Sequence, residues 1–466
     1  MLFSSITFLY YYLPLVILIY YIVPSRFKNL VLFGASLIFY GWGEPKFVVV
    51  MILAIIAGYI FGRLIEFYQD TKLAKAFLIL SVITSIGILA YFKYTDFFIS
   101  NINAIFKTSI PLLRIVLPIG VSFYLFQIMS YTIDVYRKTV VSQKSFINFG
   151  AYVSSFPQLI AGPIVRYSDI AIQLETREHN FDKAAIGIER FVLGLSKKVL
   201  LANTLGELCN IFVASSDKSI LFYWLYAISF TLHIYFDFSG YSDMAIGLGK
   251  IFGFDFIENF NYPYISKTVT DFWRRWHISL GSWFRDYVYI PLGGNRVSKS
   301  RWLFNILVVW FLTGFWHGAS WNFIIWGLYF ALFLILEKLY FKKYLDKSKC
   351  LSHIYLLLVV MVGFVIFNAA NMNDALSYIK AMFGMTDVPF ISQEFIYYFK
   401  SYFLVLVIAI FFATPLANKL YQKVLNNPKY YSFIKLISLV VMIMLVLMTT
   451  AYLVDGSFNP FLYFRF

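Results

Sequence analysis

The chain has 466 residues, of which 60% are hydrophobic, 21% aromatic and only 14% charged, against an apolar share of roughly 45–50% in soluble domains. That composition excludes an ordinary soluble globule. A formal net charge of +15 would suggest nucleic acid in a soluble protein, but here Lys and Arg gather in short loops between apolar runs, the positive-inside pattern of a polytopic protein in a lipid bilayer.

Hydrophobic runs recur near the about 17–25 residues that cross a hydrocarbon core, and they predict about eleven transmembrane helices with shorter re-entrant or interfacial pieces. Ser5 to Val23 is the first span, retained rather than cleaved, because no small-residue cleavage site follows it. The basic loop with Arg26 and Lys28 then places the N-terminus outside the cell. Leu30 to Tyr40 crosses outward, Phe47 to Phe61 returns, and Arg63, Lys72 and Lys75 fall inside. Ala76 to Phe92 crosses again. Lys93 to Ile110 reads as interfacial because of its polar residues, and Leu112 to Tyr136 spans next.

Phe146 to Val165 carries Pro157, Gly162 and Pro163 in an apolar run between Lys144 and Arg166, so it should re-enter rather than cross. Broken backbone at membrane depth is tolerated only against protein or a wet cavity, which leaves a kinked packing helix and a cavity lining as alternatives. Arg166 to Lys183 is a hydrophilic cytoplasmic segment. Phe191 to Val213 and Ile220 to Ile234 are spans, followed by Asp237 and Asp243 in apolar surroundings. Carboxylates six apart do not share a helical face well, so structural hydrogen bonding is preferred over a two-carboxylate acid/base device.

Tyr262 to Arg301 has no uninterrupted apolar run long enough to span. On a continuous helix Trp273, Trp276, His277 and Leu280 would share one face and Asp271 would pair with Arg275. Such a helix lies in the interface or re-enters, and its basic residues, through Arg285 and Arg296, place it on the cytoplasmic side. Trp302 to Trp316 then crosses outward, His317–Gly318 interrupts, and Trp321 to Leu336 returns. Tyr355 to Phe367 goes out and Tyr402 to Thr414 comes in. Leu436 to Leu453 leaves the tail Asp455 to Phe466 outside, where its aromatic residues would either dock an extracytoplasmic partner or anchor at the interface.

Five histidines are available for chemistry: His179, His233, His277, His317 and His353. His179 and His353 read as solvated or interfacial, and His233, one turn before Asp237, as a structural hydrogen bonder. His277 and His317 sit among Trp, Gly and polar residues in interrupted segments, as a water-accessible pocket requires, and an intramembrane ionisable group is by default a candidate for function. No metal-ligand spacing joins the histidines, and the two cysteines, Cys209 and Cys350, are far apart, so no metal site is expected. No Walker lysine loop is present. A processive polysaccharide synthase is disfavoured because Phe272 stands where its Gln-x-x-Arg-Trp signature needs Gln. A transporter or flippase suits the polar interruptions as well as an enzyme does.

Four blocks resemble the membrane-bound O-acyltransferase (MBOAT) family: SFPQLIAGPIVRYSDI (Ser155 to Ile170), YFDFSGYSDMAIGLGKIFGFDFIENFNYPY (Tyr235 to Tyr264), DFWRRWHISLGSWFRDYVYIPLGGNR (Asp271 to Arg296) and GFWHGASWNFIIWG (Gly314 to Gly327). Within it the chain is most similar to the bacterial alginate O-acetyltransferase-like branch, including the aromatic end FLYFRF. The resemblance implies an all-α fold, a helical ring with re-entrant helices around a central funnel. It would be one domain, with N-terminal helices over 1–136, a catalytic core over 146–342, and C-terminal helices with an external aromatic tail over 353–466. It implies His317 as the catalytic histidine and His277 as a second, supporting one, with Arg274, Arg275, Trp276, Arg285, Trp316 and Asn322 as donor- or substrate-binding candidates. No cofactor is bound; acetyl-CoA or an acyl carrier protein thioester is the donor substrate. The acceptor is an extracellular polysaccharide or a hydroxyl of an extracytoplasmic partner protein, the site of action is the bacterial inner membrane, and D-alanyl transfer to teichoic acid is the alternative within the family.

Overall fold

The computed structural model describes residues 1–160, 162–456 and Phe461, and it is helical throughout, with a single antiparallel bridge, Phe260 to Trp276, outside the helices. Seven helices among the described residues are long and apolar enough to cross a membrane, as in a polytopic membrane protein. The chain divides into two compact units, one of residues 1–191 with 242–257, the other of 192–241 with 258–466.

The first unit begins with α1 (Phe8–Ile22), α2 (Lys28–Gly43), α3 (Val48–Phe67) and α4 (Lys72–Phe106). The stretch from Lys93 read as interfacial continues α4 without a break as far as Phe106. Its polar residues do not end the helix because they bond its own backbone: Thr95 Oγ1 donates to Tyr91 O at 2.8 Å and Asn101 Nδ2 to Phe97 O at 2.7 Å. The predicted span from Leu112 is helical only as α5 (Val121–Tyr136). Pro111 and Pro118 withhold backbone donors, and Gly120 takes a left-handed φ of 74° at a point where a Cβ would press on the Leu159 carbonyl.

After α6 (Phe146–Ser154) the SFPQ block is irregular and buried against protein. Its freed Phe156 N donates to Ser36 Oγ at 3.0 Å, and the Gln158 side chain donates from Nε2 to Tyr152 O near the end of α6 at 2.6 Å. That meets the requirement for non-helical backbone away from water. Next come α7 (Tyr167–Glu175), helix α8 over residues 181–214, which contains one π-turn at Lys197–Ala202, and α9 (Ile220–Ile251).

Helix α9 runs 32 residues, well past the predicted end at Ile234, because the carboxylates that follow are neutralised from α8. Asp243 takes the Arg190 guanidinium at 2.8 Å within the first unit, and Asp237 takes Lys198 Nζ at 2.5 Å within the second. The preference for structural carboxylates is met in both.

The second unit continues with α10 (Val269–Arg275), α11 (Ile278–Phe284), α12 (Lys299–His317), α13 (Trp321–Leu345), α14 (Lys349–Asn368), α15 (Met372–Met382), α16 (Gln393–Phe412), α17 (Leu416–Leu425) and α18 (Tyr431–Asp455). Helices α12 and α13 form a hairpin that packs through glycine. A Cβ on Gly314 would strike the Phe323 carbonyl, and one on Gly327 the Trp310 carbonyl. Because both obstacles are backbone, Gly327→Ala should overpack the hairpin and lower stability by about 1–3 kcal/mol. Thermal unfolding of the detergent-solubilised protein measures this, and an unchanged midpoint would argue against so close a crossing.

Phe461 is buried, 5.0 Å from the Tyr241 ring and 6.0 Å from that of Phe238. That ring is packed inside the second unit, whereas Phe458, Tyr463, Phe464 and Phe466 of the proposed docking tail lie outside the described residues.

Candidate active site

The two interrupted segments singled out by sequence meet in the second unit. His317 is the last residue of α12; Gly318 turns away in an extended conformation and α13 begins three residues later. Its ring is buried at 7% exposure and meets Trp326 at 4.9 Å, Phe367 at 5.4 Å and Trp316 at 5.0 Å, each close to edge-on. His277 is also buried, at 2%, with Phe238 edge-on at 4.7 Å and the Trp316 ring at 6.2 Å. Trp316 therefore touches both imidazoles.

The helix expected to carry His277 does not continue through it. Helix α10 stops at Arg275, Trp276 is extended, and His277 adopts a left-handed conformation with φ 47° and ψ 54° before α11 starts. The shared face of Trp273, Trp276, His277 and Leu280 is thus not formed. The extended segment 259–261 competes for the backbone: Asn261 N donates to Arg275 O at 2.9 Å and Ile278 N to Asn259 O at 3.0 Å, on either side of the turn. A non-glycine residue in this region costs roughly 1–2 kcal/mol, and these two bonds hold it there. The break sends neighbours to opposite sides. Trp276 packs on Phe260, Phe272 and Phe364, at 5.1, 5.5 and 5.2 Å, while His277 faces Phe238 and Trp316.

Asn259 completes the turn. Its Oδ1 accepts from Ser279 N at 3.2 Å and Ser279 Oγ at 2.9 Å, and lies 3.2 Å from His277 Nδ1. Sequence reasoning missed this residue. It stands 18 positions before the histidine, a separation to which no helical or turn spacing gives meaning. Burial alone pushes the His277 imidazole down to about 3 from its usual 6.5.

The polar candidates are placed differently. Asn322 is buried in the first turn of α13 and donates from Nδ2 to Ala369 O at 3.0 Å, tying the start of that helix to the end of α14. Arg275 pairs with Asp271 at 3.1 Å, as the spacing of four requires, and Arg285 forms a two-pronged pair with Asp286 at 2.6 and 3.0 Å. Arg274 is exposed. None of the three arginines has a contact with either imidazole among the described residues. The backbone amides at the start of α10 are held by the buried Glu337 of α13, which accepts from Val269 N at 2.5 Å and Thr270 N at 3.1 Å.

Two of the remaining three histidines, His233 and His179, have structural partners, whereas His353 Nδ1 is buried without a hydrogen-bond partner among the described residues. His233 Nδ1 lies 2.7 Å from Ala202 O, and His179 Nε2 lies 2.9 Å from the Tyr20 hydroxyl in the first unit. Among the described residues no three His, Cys, Asp or Glu side chains converge as a metal-binding group.

Residues 81–373 match the model of the family described as MBOAT, membrane-bound O-acyltransferase. The chain is 43% identical over 393 residues to the probable alginate O-acetylase AlgI of Azotobacter vinelandii, covering 83% of this chain and 79% of that one. It is 34% identical over 425 residues to the peptidoglycan O-acetyltransferase of Helicobacter pylori, covering 83% and 81%. To the teichoic acid D-alanyltransferase of Bacillus subtilis it is 33% identical over 213 residues, 43% of this chain and 53% of the relative.

Proposed function

We propose that this chain, which belongs to the membrane-bound O-acyltransferase family and is a membrane O-acyltransferase, moves an acetyl group from a cytoplasmic thioester to a hydroxyl outside the cell. The donor is acetyl-CoA or an acyl carrier protein, and the acceptor is an extracellular polysaccharide or a hydroxyl of an extracytoplasmic partner that relays the group to one. The protein sits in the bacterial inner membrane with both termini outside, so that the basic loops face the cytosol. Acetyl rather than D-alanyl transfer is favoured because the acetylating relatives align with 83% of the chain and the D-alanylating one with 43%.

The observation that carries the chemistry is the packing of two buried imidazoles on the one Trp316 ring. In this reading His317 takes the proton of the attacking hydroxyl as its oxygen bonds to the thioester carbonyl carbon. The C–S bond then breaks from the tetrahedral adduct, and the proton passes from His317 to the leaving sulfur. His277 orients the reactants. Trp316 and Asn322 shape the walls, Trp276 braces the turn from the side away from His277, and Arg274, Arg275 and Arg285 form the basic side that draws donor phosphates. Of these, Arg274 has no ion pair among the described residues.

Purified protein given acetyl-labelled CoA or acetyl-labelled carrier protein, with a glycan acceptor, should release free thiol and yield labelled O-acetyl ester. Passage of glycan across a vesicle membrane without thioester cleavage would replace this reading with a transporter.

A further inference from the structure

We propose that Asn259 is a positioning residue that locks His277 as the Nδ1–H tautomer, leaving Nε2 as a buried lone-pair acceptor for an O–H or N–H group of the substrates. The inference deepens the proposed acyl-transfer site and rests on it for the role of His277, but not for the state of the ring.

The orientation of the Asn259 amide is fixed by a donor that cannot be reversed. Ser279 N is a backbone N–H, so the atom it meets at 3.2 Å is the side-chain oxygen. An amide oxygen only accepts, and therefore the His277 Nδ1 that lies 3.2 Å from it carries the proton. Ser279 Oγ is closer to Asn259 Oδ1, at 2.9 Å, than to His277 Nδ1, at 3.4 Å, so the hydroxyl proton also goes to the asparagine. Nε2 is then the unprotonated nitrogen. It is buried and has no hydrogen-bond partner among the described residues.

The backbone is clamped by the same residue, since Asn259 O accepts from Ile278 N directly after the left-handed His277. Ring and main chain are thus fixed from one position. In this tautomer Nε2 cannot donate to a developing oxyanion. It can accept from the acceptor hydroxyl or from an amide N–H in the arm of the thioester donor, and each pairing satisfies an otherwise costly buried atom.

Among the described residues no charge is in direct contact with the ring. From α9 it meets Phe238, whose neighbour Asp237 is taken by Lys198; from α12 it meets Trp316; from α11 it meets Ser279. On α10, Asp271 is taken by Arg275, and Arg274 is exposed. Burial, which holds the imidazole near 3, keeps Nε2 unprotonated across the working pH range.

Two experiments test this on the full chain in membranes. With histidine-¹⁵N label, the signals lost in His277→Gln should be those of a neutral ring protonated on Nδ1; a proton on Nε2, or on both nitrogens, overturns the lock without touching the acyltransferase reading. Asn259→Asp places a carboxylate against Nδ1–H and raises the imidazole, because a close negative charge favours imidazolium. Transfer by this variant should then gain an acid limb that the natural protein lacks, falling about tenfold per pH unit below the new value. Asn259→Leu should lose roughly 10–100-fold in kcat, the usual scale for removing the outer partner of a working histidine. A rise in KM for the thioester alone assigns Nε2 to the donor arm, and one for the glycan alone assigns it to the hydroxyl. A pH profile in a folded Asn259→Asp protein that is unchanged from the natural one sinks the positioning role. Full activity of His277→Gln would instead sink the site assignment while leaving the tautomer result standing.

Discussion

His317→Ala is expected to abolish acyl transfer, by about 10²–10⁴-fold, the range a positioned general base contributes, without loss of folded protein. The imidazole ends α12 and is not the residue that closes the hairpin. The crossing depends on Gly314 and Gly327, and the neighbouring end of α14 is held by Asn322 through Ala369 O. Truncation removes ring contacts with Trp316, Trp326 and Phe367, which lowers stability but leaves the turn formed. The measurement is thiol release and labelled ester from protein matched for membrane yield and thermal midpoint. A matched variant within tenfold of the natural rate would remove His317 from the proton transfer. His277→Ala in parallel should affect KM as well as kcat, because an acceptor that orients a substrate acts in the ground state too.

How much of this was readable beforehand follows from the range of the interactions involved. The α12–α13 hairpin was legible because what sets it is local, two apolar runs with the His317–Gly318 interruption between them, whereas the glycines where the backbones touch, Gly314 and Gly327, appear only in the structure. The division at Trp276 and His277 was not, because residues 259–261 take hydrogen bonds that a regular helix would otherwise keep. Helical spacing alone put His277 on the same face as Trp276, and the bridge to residues 259–261 separated them. In α9 the error had an electrostatic cause. Asp237 and Asp243 read as the end of an apolar span, whereas each meets a cation 39 and 53 positions earlier in the chain. That α4 stays helical past Lys93 has a different cause. Thr95 and Asn101 were counted as polar, though their side chains bond to carbonyls of their own helix and so present little unmet polarity.

The pair of α8 and α9 carries the other large expected effect. Lys198 and Asp237 are both nearly inaccessible, 3% and 1% in side-chain exposure, and 2.5 Å apart. Separating two charges from water costs several kcal/mol per ion, which their attraction recovers only while both are present. Asp237→Asn should therefore destabilise the protein by about 3–5 kcal/mol, because it strands a buried ammonium. Arg190 and Asp243 provide the internal comparison. Their side chains remain 27% and 15% exposed, water screens the charge left behind, and Asp243→Asn should cost only about 1 kcal/mol. The double variant Lys198→Met with Asp237→Asn removes both charges and should recover most of the loss. These values are read from reversible unfolding in mixed detergent, with helicity confirming the starting state. Equal costs for the two aspartates, or a double variant as unstable as Asp237→Asn alone, would mean that packing and not charge dominates at Asp237. The pair also lies beside Phe461: Lys198 Nζ is 6.0 Å from its ring, which in turn packs on Tyr241 and Phe238. Loss of the ammonium should therefore loosen the seat of Phe461, measurable as faster proteolysis after residue 455 in the Lys198→Met protein than in the natural one.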